Sequence, residues 1–377
     1  MKVLMISIDK GLLGKGQLGD VVERHQEYAR NVSQLDIIVF CSKGFEPYKI
    51  SPNSTAYPTN SSRKLRYACD AKKIGKKLFK ENQYDLIVTQ EPFLTGLVGV
   101  CLKKKFGAKL LVHLHGDFKG LFFWLAKLLV LPKADGIRVM SQGQMEKLSQ
   151  YKEKVRVIST PVDLEKYQRT ENREQRTEIR DQRTEIRDQR TEIREQKTEN
   201  RIVLHVGRDD KVKDYKSLLK AFGLVKQKLA NVRLVKVLGG KEFSKAVKEY
   251  SGNDLKVDVY PKTDHKSLVN FYHQAEVVVL SSTSESFGKV LVEANACGKP
   301  VVSTATTGAK EIIQDGYNGY LVPIGDYQAL ADKIIYLLNN PQKAKELGEN
   351  GRKLVKEKFS NNTAQIIKFW NDLIFKN

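Results

Sequence analysis

Short apolar runs alternate with helical stretches along this chain, twice over, and that alternation narrows the folds open to it. In the first series the strand-like runs are 2–8, 35–40, 85–89, 109–114 and 137–140, with helical stretches at 63–81 and 93–105 among them. The second series opens at Arg201 and places strands at 202–206, 232–237, 255–259, 276–280, 300–303 and 319–322. Its helices fall at 215–229, 267–274, 287–297, 326–339 and 341–358. Alternation of this kind predicts a parallel sheet with helices on both faces. A chain of 377 residues has room for two such units at about 150 residues each. The expected fold class is therefore α/β, as two doubly wound domains.

Between the two series lies a seven-residue repeat, REQRTEI, RDQRTEI, RDQRTEI, REQKTEN, over 173–200. Each of the first three repeats carries one apolar residue (Ile179, Ile186, Ile193), where a coiled-coil seam needs two. On a helix, Arg176 would meet Arg180 and Glu174 would meet Glu178, and like-charged pairs at that spacing cost about 0.2–0.5 kcal/mol each. The repeat reads as a solvated, disordered insert with no chemistry of its own, or as a charged interaction arm. The boundaries expected are 1–166 for the first domain, 167–200 for the insert, 201–360 for the second domain and 361–377 for a last helix.

The formal net charge is +21, from 65 basic and 44 acidic residues. The insert is balanced; residues 1–166 hold 28 bases against 16 acids, and residues 201–377 hold 28 against 19. An excess of this size predicts an anionic partner. Cys41, Cys69, Cys101 and Cys297 are scattered without a CxxC pair, which excludes a disulfide scaffold and a zinc ribbon and fits a reducing compartment. The N-terminus lacks the pattern of a secretory leader, so a cytoplasmic location is expected. The longest apolar stretch, 120–131, is too short to cross a bilayer; it reads as a buried helix or as one lying in a membrane interface, with burial the expectation carried forward.

The richest chemistry lies in SSTSESFGKVLVEANACG, residues 281–298. An apolar strand ends at Leu280, a polar loop follows, and a helix from about Phe287 stops at Gly298, with Ser286 as its expected N-cap. A helix start at the carboxyl end of a parallel strand is where anions settle in open α/β sheets, since its backbone N–H groups lack partners. Glu285 precedes the helix and Glu293 lies within its otherwise apolar run. The two carboxylates can flank a bound diphosphate; equally, Glu285 can be a surface acid and Glu293 a helix acid paired with a lysine. Arg208 and Lys213 lie on the loop after the first strand of the second series, where two fixed cations suit a diphosphate leaving group or are ordinary loop cations. Thr306 to Pro323 supplies a further helix start at Gly308 and turns at Asp315-Gly316 and Asn318-Gly319.

These three stretches, in this order and spacing, resemble the family 4 retaining glycosyltransferases of the GT-B fold. The E-x7-E pattern from Glu285 to Glu293 and the Gly-Arg with a lysine five residues on carry the likeness, which runs from about Ile202 to Phe359. The resemblance implies two Rossmann-like domains and a nucleotide-sugar donor, with no metal and no cofactor. Arg208 and Lys213 would hold the diphosphate, and Phe287, Gly288 and Lys289 would offer it backbone amides. Glu293 would take the ribose hydroxyls and Glu285 the donor sugar. The sugar would move with retention, the departing phosphate helping to deprotonate the incoming hydroxyl. In the first series, LLVHLHGDF at 110–118 is similar to the family's strand ending in a histidine that reaches the donor sugar; His115 is the first candidate, His113 shares its face, and Asp117 would orient it. Gly14, Gly16 and Gly19 fall where the family has a glycine loop, though its adjacent Gly-Gly is missing, and a plain loop reads as well. The resemblance also has the last helix cross back to the first domain.

The acceptor expected is a glycan or a lipid-linked sugar. Lys72, Lys73, Lys76, Lys77 and Lys80 on one helix, Lys103 to Lys105, and the aromatic stretch near Trp124 point to peripheral contact with an anionic membrane, or are solvated lysine faces. The rival classes are a basic nucleic-acid binder, for which the sequence has no module, and a non-catalytic sugar-nucleotide binder.

Overall fold

The computed structural model describes residues 1–14, 20–116, 118, 120–167, 201–250, 255–261 and 263–375. The charged repeat at 168–200, Gly16, Gly19 and Asp117 lie outside the described residues. The chain divides into two compact units, Met1–Pro161 with Asn361–Asn377, and Val162–Ser360.

The first unit is built from β1 (Lys2–Ser7), α1 (Val21–Arg30), β2 (Gln34–Val39), β3 (Tyr48–Ser51), β4 (Ser54–Pro58), α2 (Tyr67–Glu81), β5 (Leu86–Thr89), α3 (Leu94–Phe106), β6 (Lys109–Leu114), α4 (Gly120–Leu129), β7 (Gly136–Val139), α5 (Gln142–Glu146) and β8 (Val155–Val157). Its sheet runs in the order β3-β4-β2-β1-β5-β6-β7-β8. All neighbours are parallel except β3 and β4, which form an antiparallel edge. Val3, Leu4, Met5 and Ile6 of β1 are all buried, as a strand covered on both faces requires. The hairpin β3–β4 is short and polar, and its alternation is too brief to register in the sequence.

The second unit contains β9 (Arg201–Val206), α6 (Tyr215–Lys228), β10 (Val232–Val237), α7 (Lys241–Tyr250), β11 (Val257–Tyr260), α8 (His265–Gln274), β12 (Val277–Leu280), α9 (Lys289–Ala296), β13 (Val301–Thr304), α10 (Thr307–Ile312), β14 (Gly319–Val322), α11 (Tyr327–Asn339) and α12 (Pro341–Phe359). Its six strands are all parallel, in the order β11-β10-β9-β12-β13-β14. Side-chain caps set several helix starts: Asp214 accepts from the Ser217 amide at α6 and Asp264 from the Ser267 amide at α8. The two orders are doubly wound sheets with Rossmann-like topology, as the strand spacing predicts.

The last helix, α13 (Asn362–Phe375), belongs to the first unit. Its Ile366 and Trp370 are fully buried, and Trp370 meets the Tyr28 ring of α1 edge-on at 5.5 Å. Phe369 and Leu373 lie over Gly136, where an added Cβ would meet each of them at 2.9 Å.

One expectation is overturned in the first unit. The apolar stretch 120–131 is not buried as a whole: in α4 only Phe123 and Ala126 turn inward. Phe122 and Trp124 are 75 % and 58 % exposed, and Leu121, Leu128 and Leu129 are exposed with them. A helix apolar all round has no polar side to assign to water, and one sheet layer covers only one of its faces.

Truncating Trp370 to alanine leaves a cavity between α13 and α1, and should cost about 3–5 kcal/mol. Urea unfolding is expected to show that loss as a lower midpoint with unchanged slope.

Candidate active site

In the second unit the functional candidates gather where the parallel strands end. Lys213 lies in the short turn Lys211–Lys213 after β9, and Glu285 in the loop after β12. Their side chains form an ion pair, Nζ to Oε1 at 2.5 Å, and only 13 % and 16 % of their surfaces remain exposed. The Ser282 hydroxyl donates to the same carboxylate oxygen at 2.8 Å. Two more bonds join the loops: the Ser281 hydroxyl donates to the Lys213 carbonyl at 2.6 Å, and the Thr283 amide to the Val212 carbonyl at 2.8 Å. The pair thus sits on backbone that is itself tied together. Arg208 is exposed on the same loop, one residue past Gly207, and its carbonyl accepts from the Tyr215 hydroxyl at 3.2 Å.

The expected helix start needs correcting. α9 begins at Lys289 rather than Phe287, and its N-cap is Gly288, not Ser286. Gly288 has φ 88°, a left-handed conformation that glycine takes without strain. That turn drives Phe287 inward, where it is buried against the Phe359 ring at 5.5 Å. The first turn of α9 aims its backbone N–H groups out of the carboxyl edge. Gly308 closes the loop from the other side: its amide donates to the Glu285 carbonyl at 2.7 Å, and a Cβ there would meet the Phe287 backbone nitrogen at 2.5 Å.

Glu293 is 5 % exposed, in the middle of α9. Its cost is offset by two partners: the Tyr272 hydroxyl donates to Oε2 at 2.7 Å, and Lys289 lies 3.4 Å from Oε1. Burial and the adjacent carboxylate raise the Tyr272 phenol well above its usual value, so it remains a donor. Burial also pushes the neighbouring Cys297 thiol up to about 12. Glu293 is therefore a buried helix acid paired with a lysine, as one of its two sequence readings has it. Sequence reasoning missed Tyr272, Ser281 and Ser282. Neither their spacing nor their type marks them; their roles arise only when α8 and the post-β12 loop fold against α9 and Lys213.

In the first unit, His113 and His115 share a face of β6 and the residues beyond it, with ring centres 5.5 Å apart. His113 is fully buried beside Arg138, whereas His115 lies past the strand end and is half-buried. Burial and the nearby Arg138 charge lower both imidazoles well below their usual value, so each is neutral at pH 7. Gly14 caps the turn Lys10–Leu13 with φ 70°, and a Cβ there would strike the Tyr48 ring at 2.5 Å. That glycine is demanded by packing and backbone together. Among the described residues, no cluster of three or more His, Cys, Asp or Glu side chains could hold a metal, and no helix is long and apolar enough to cross a membrane.

Two family models match the chain, one described as glycosyltransferase family 4 over residues 22–166, the other as glycosyl transferases group 1 over residues 186–354. The chain belongs to the family 4 glycosyltransferases of GT-B fold. It is 34 % identical over 176 residues to the capsular polysaccharide biosynthesis glycosyltransferase CapM of Staphylococcus aureus, covering 46 % of this chain and 45 % of that one. It is 28 % identical to an uncharacterised glycosyltransferase of Methanocaldococcus jannaschii over 96 % of this chain and 94 % of the other. The match spans less than half the length of CapM and of several other curated relatives. The fold is shared with sucrose-phosphate synthase from Thermosynechococcus elongatus (TM-score 0.81, 22 % identity, 99 % of each chain). It is shared also with Anabaena HepE in complex with UDP and glucose (TM-score 0.74, 20 % identity, 98 % of this chain and 99 % of that one).

Gly308→Ala forces a methyl group onto the Phe287 backbone. A loss of about 1–3 kcal/mol of stability is expected, read as a lowered melting temperature.

Proposed function

We propose that this chain is a retaining glycosyltransferase. In this reading it moves a hexosyl unit from a nucleoside-diphosphate sugar to a hydroxyl acceptor, in the assembly of cell-surface polysaccharide or glycolipid. The observation that carries the reading is the largely buried Lys213–Glu285 pair in the loops ahead of α9, with Glu293 about one turn into that helix. Family membership supports it. So does the name of CapM, a capsular polysaccharide glycosyltransferase, and the UDP and glucose bound by HepE.

Each residue then has a task. Arg208 and Lys213 neutralise the donor diphosphate, and the backbone of Phe287, Gly288 and Lys289 binds it at the start of α9. Glu293, oriented by Tyr272, accepts from the ribose hydroxyls. Glu285 accepts from a hydroxyl of the donor sugar. Neutral His115 holds another. The bond from the anomeric carbon to the diphosphate breaks, and a bond to the acceptor oxygen forms on the same face. The acceptor's proton passes to the departing phosphate oxygen. Fixed cations and backbone dipoles stabilise the leaving group without a metal ion.

The acceptor reading follows from the first unit. The apolar outer face of α4, on the more basic half of the chain, suits a helix lying in the interface of an anionic bilayer. That would place the enzyme on the cytoplasmic face of a membrane, near lipid-linked acceptors.

A thermal-shift panel of UDP, GDP and ADP sugars in the presence of chelator tests the donor reading. A ligand at 100 times its dissociation constant should stabilise the protein by about 2.7 kcal/mol, and Arg208→Ala and Glu293→Ala should abolish the shift. No shift with any sugar nucleotide would defeat it. Cosedimentation with phosphatidylglycerol vesicles at low salt should be strong for the parent protein and lost in the Phe122→Asp, Trp124→Asp double variant; equal sedimentation of both would exclude α4 as the anchor.

A further inference from the structure

Lys236 is a fully buried lysine on β10, in the interior of the second unit's sheet. An ammonium group so placed is expensive unless something nearby needs its charge. Its hydrogen bonds go to backbone carbonyls, at 2.6 Å to Gly207 and 2.8 Å to Val237. The Tyr215 and Phe243 rings enclose it, their centres 5.5 and 5.8 Å from Nζ. Gly207 is the residue before Arg208, so Lys236 holds the first link of the loop that carries the exposed arginine. The next two links are anchored independently. Tyr215 donates to the Arg208 carbonyl at 3.2 Å, and the Asp209 carboxylate accepts from the Glu242 and Phe243 amides at the start of α7, at 2.8 and 2.9 Å.

The charged and titratable groups facing Lys236 are few. From β9, His205 is its register partner, and burial together with the Lys236 charge keeps that imidazole neutral. From the loop, Lys213 opposes its charge and Asp209 favours it. From α6 comes the Tyr215 phenol, raised by burial, while α7 offers Phe243 and β11 offers Val259 in register. Burial first, and then Lys213, bring the ammonium down to about 7. An anion bound at the loop would reverse the second of these effects.

We propose that Lys236 is a positioning residue for the donor-phosphate loop, and that a diphosphate bound on that loop tightens the hold of Lys236 on its proton. The inference rests on the donor site proposed above. Its balance is simple: an amine nitrogen takes one proton from solvent, and no other bond changes. The sign follows by linkage. The protonated form binds the anion better, so affinity is highest at low pH and declines as pH rises through 7. The family likeness assigns Lys236 no role.

Calorimetric titration with UDP-glucose between pH 6 and pH 8.5, in two buffers of different ionisation heat, tests the idea, because the phosphates of a diphosphate diester do not titrate in that range. The wild-type affinity is expected to fall about tenfold across the range, with net proton uptake on binding. Lys236→Met keeps the apolar stem and should bind weakly at every pH, with a flat profile and no proton uptake. Lys236→Arg stays charged, and should restore binding at pH 8.5 with an equally flat profile. A wild-type profile that is flat, or a pH dependence retained in both variants, overturns the inference while leaving the donor site intact. If UDP-glucose does not bind, GDP-mannose and ADP-glucose replace it. Failure of all three at pH 6 defeats the donor site and this inference together.

Discussion

The Lys213–Glu285 ion pair ties together the two loops that carry the proposed donor site. One loop leaves β9 and the other leaves β12, and these strands are neighbours in a parallel sheet, so their ends emerge side by side. Two exposed charges would contribute little across such a gap. Here the pair is mostly withdrawn from water, and its removal on one side would strand the other charge. The hydroxyls of Ser281 and Ser282 and the amide of Thr283 spread the load over backbone. Gly308 then presses the far side of the loop against α10. Rigidity at this edge is what a site needs if it is to meet a diphosphate with its dipoles already aimed.

Much of this was legible in the residues. The strands that became β1, β5, β6, β9, β10, β12 and β13 are buried apolar runs, and a run covered on both faces leaves little ambiguity. The Glu285 to Glu293 spacing fixed both acids to one loop and one helix. What escaped is instructive. The start of α9 shifted by two residues because Gly288 could turn left-handed and bury Phe287, a choice that depends on Phe359, far along the chain. Tyr272 and Lys236 were invisible because each acts across the fold, one on an acid of another helix and the other on a carbonyl of the loop that leaves a neighbouring strand. The inward face of α4 was overestimated because composition reports how apolar a helix is, not how much of it the protein covers.

The two histidines after β6 illustrate how position along a strand sorts like residues. His113 and His115 differ by one pleat repeat and share a face, yet one is enclosed with Arg138 and the other reaches the strand end. Both are neutral for the same reason, burial beside a cation. A neutral imidazole donates with one nitrogen and accepts with the other, which suits the recognition of sugar hydroxyls.

The return of α13 to the first unit has a consequence for how the chain comes off the ribosome. Trp370 and Ile366 are fully buried, and Trp370 packs on the ring of Tyr28, synthesised more than 300 positions earlier. The second unit is contiguous from Val162 to Ser360 and can close as soon as it emerges. The first must wait, its α1 face uncovered, until the last helix is released. Birth order and folding order are thus inverted, and the nascent first half is the stage at which a chaperone would find the most exposed apolar surface.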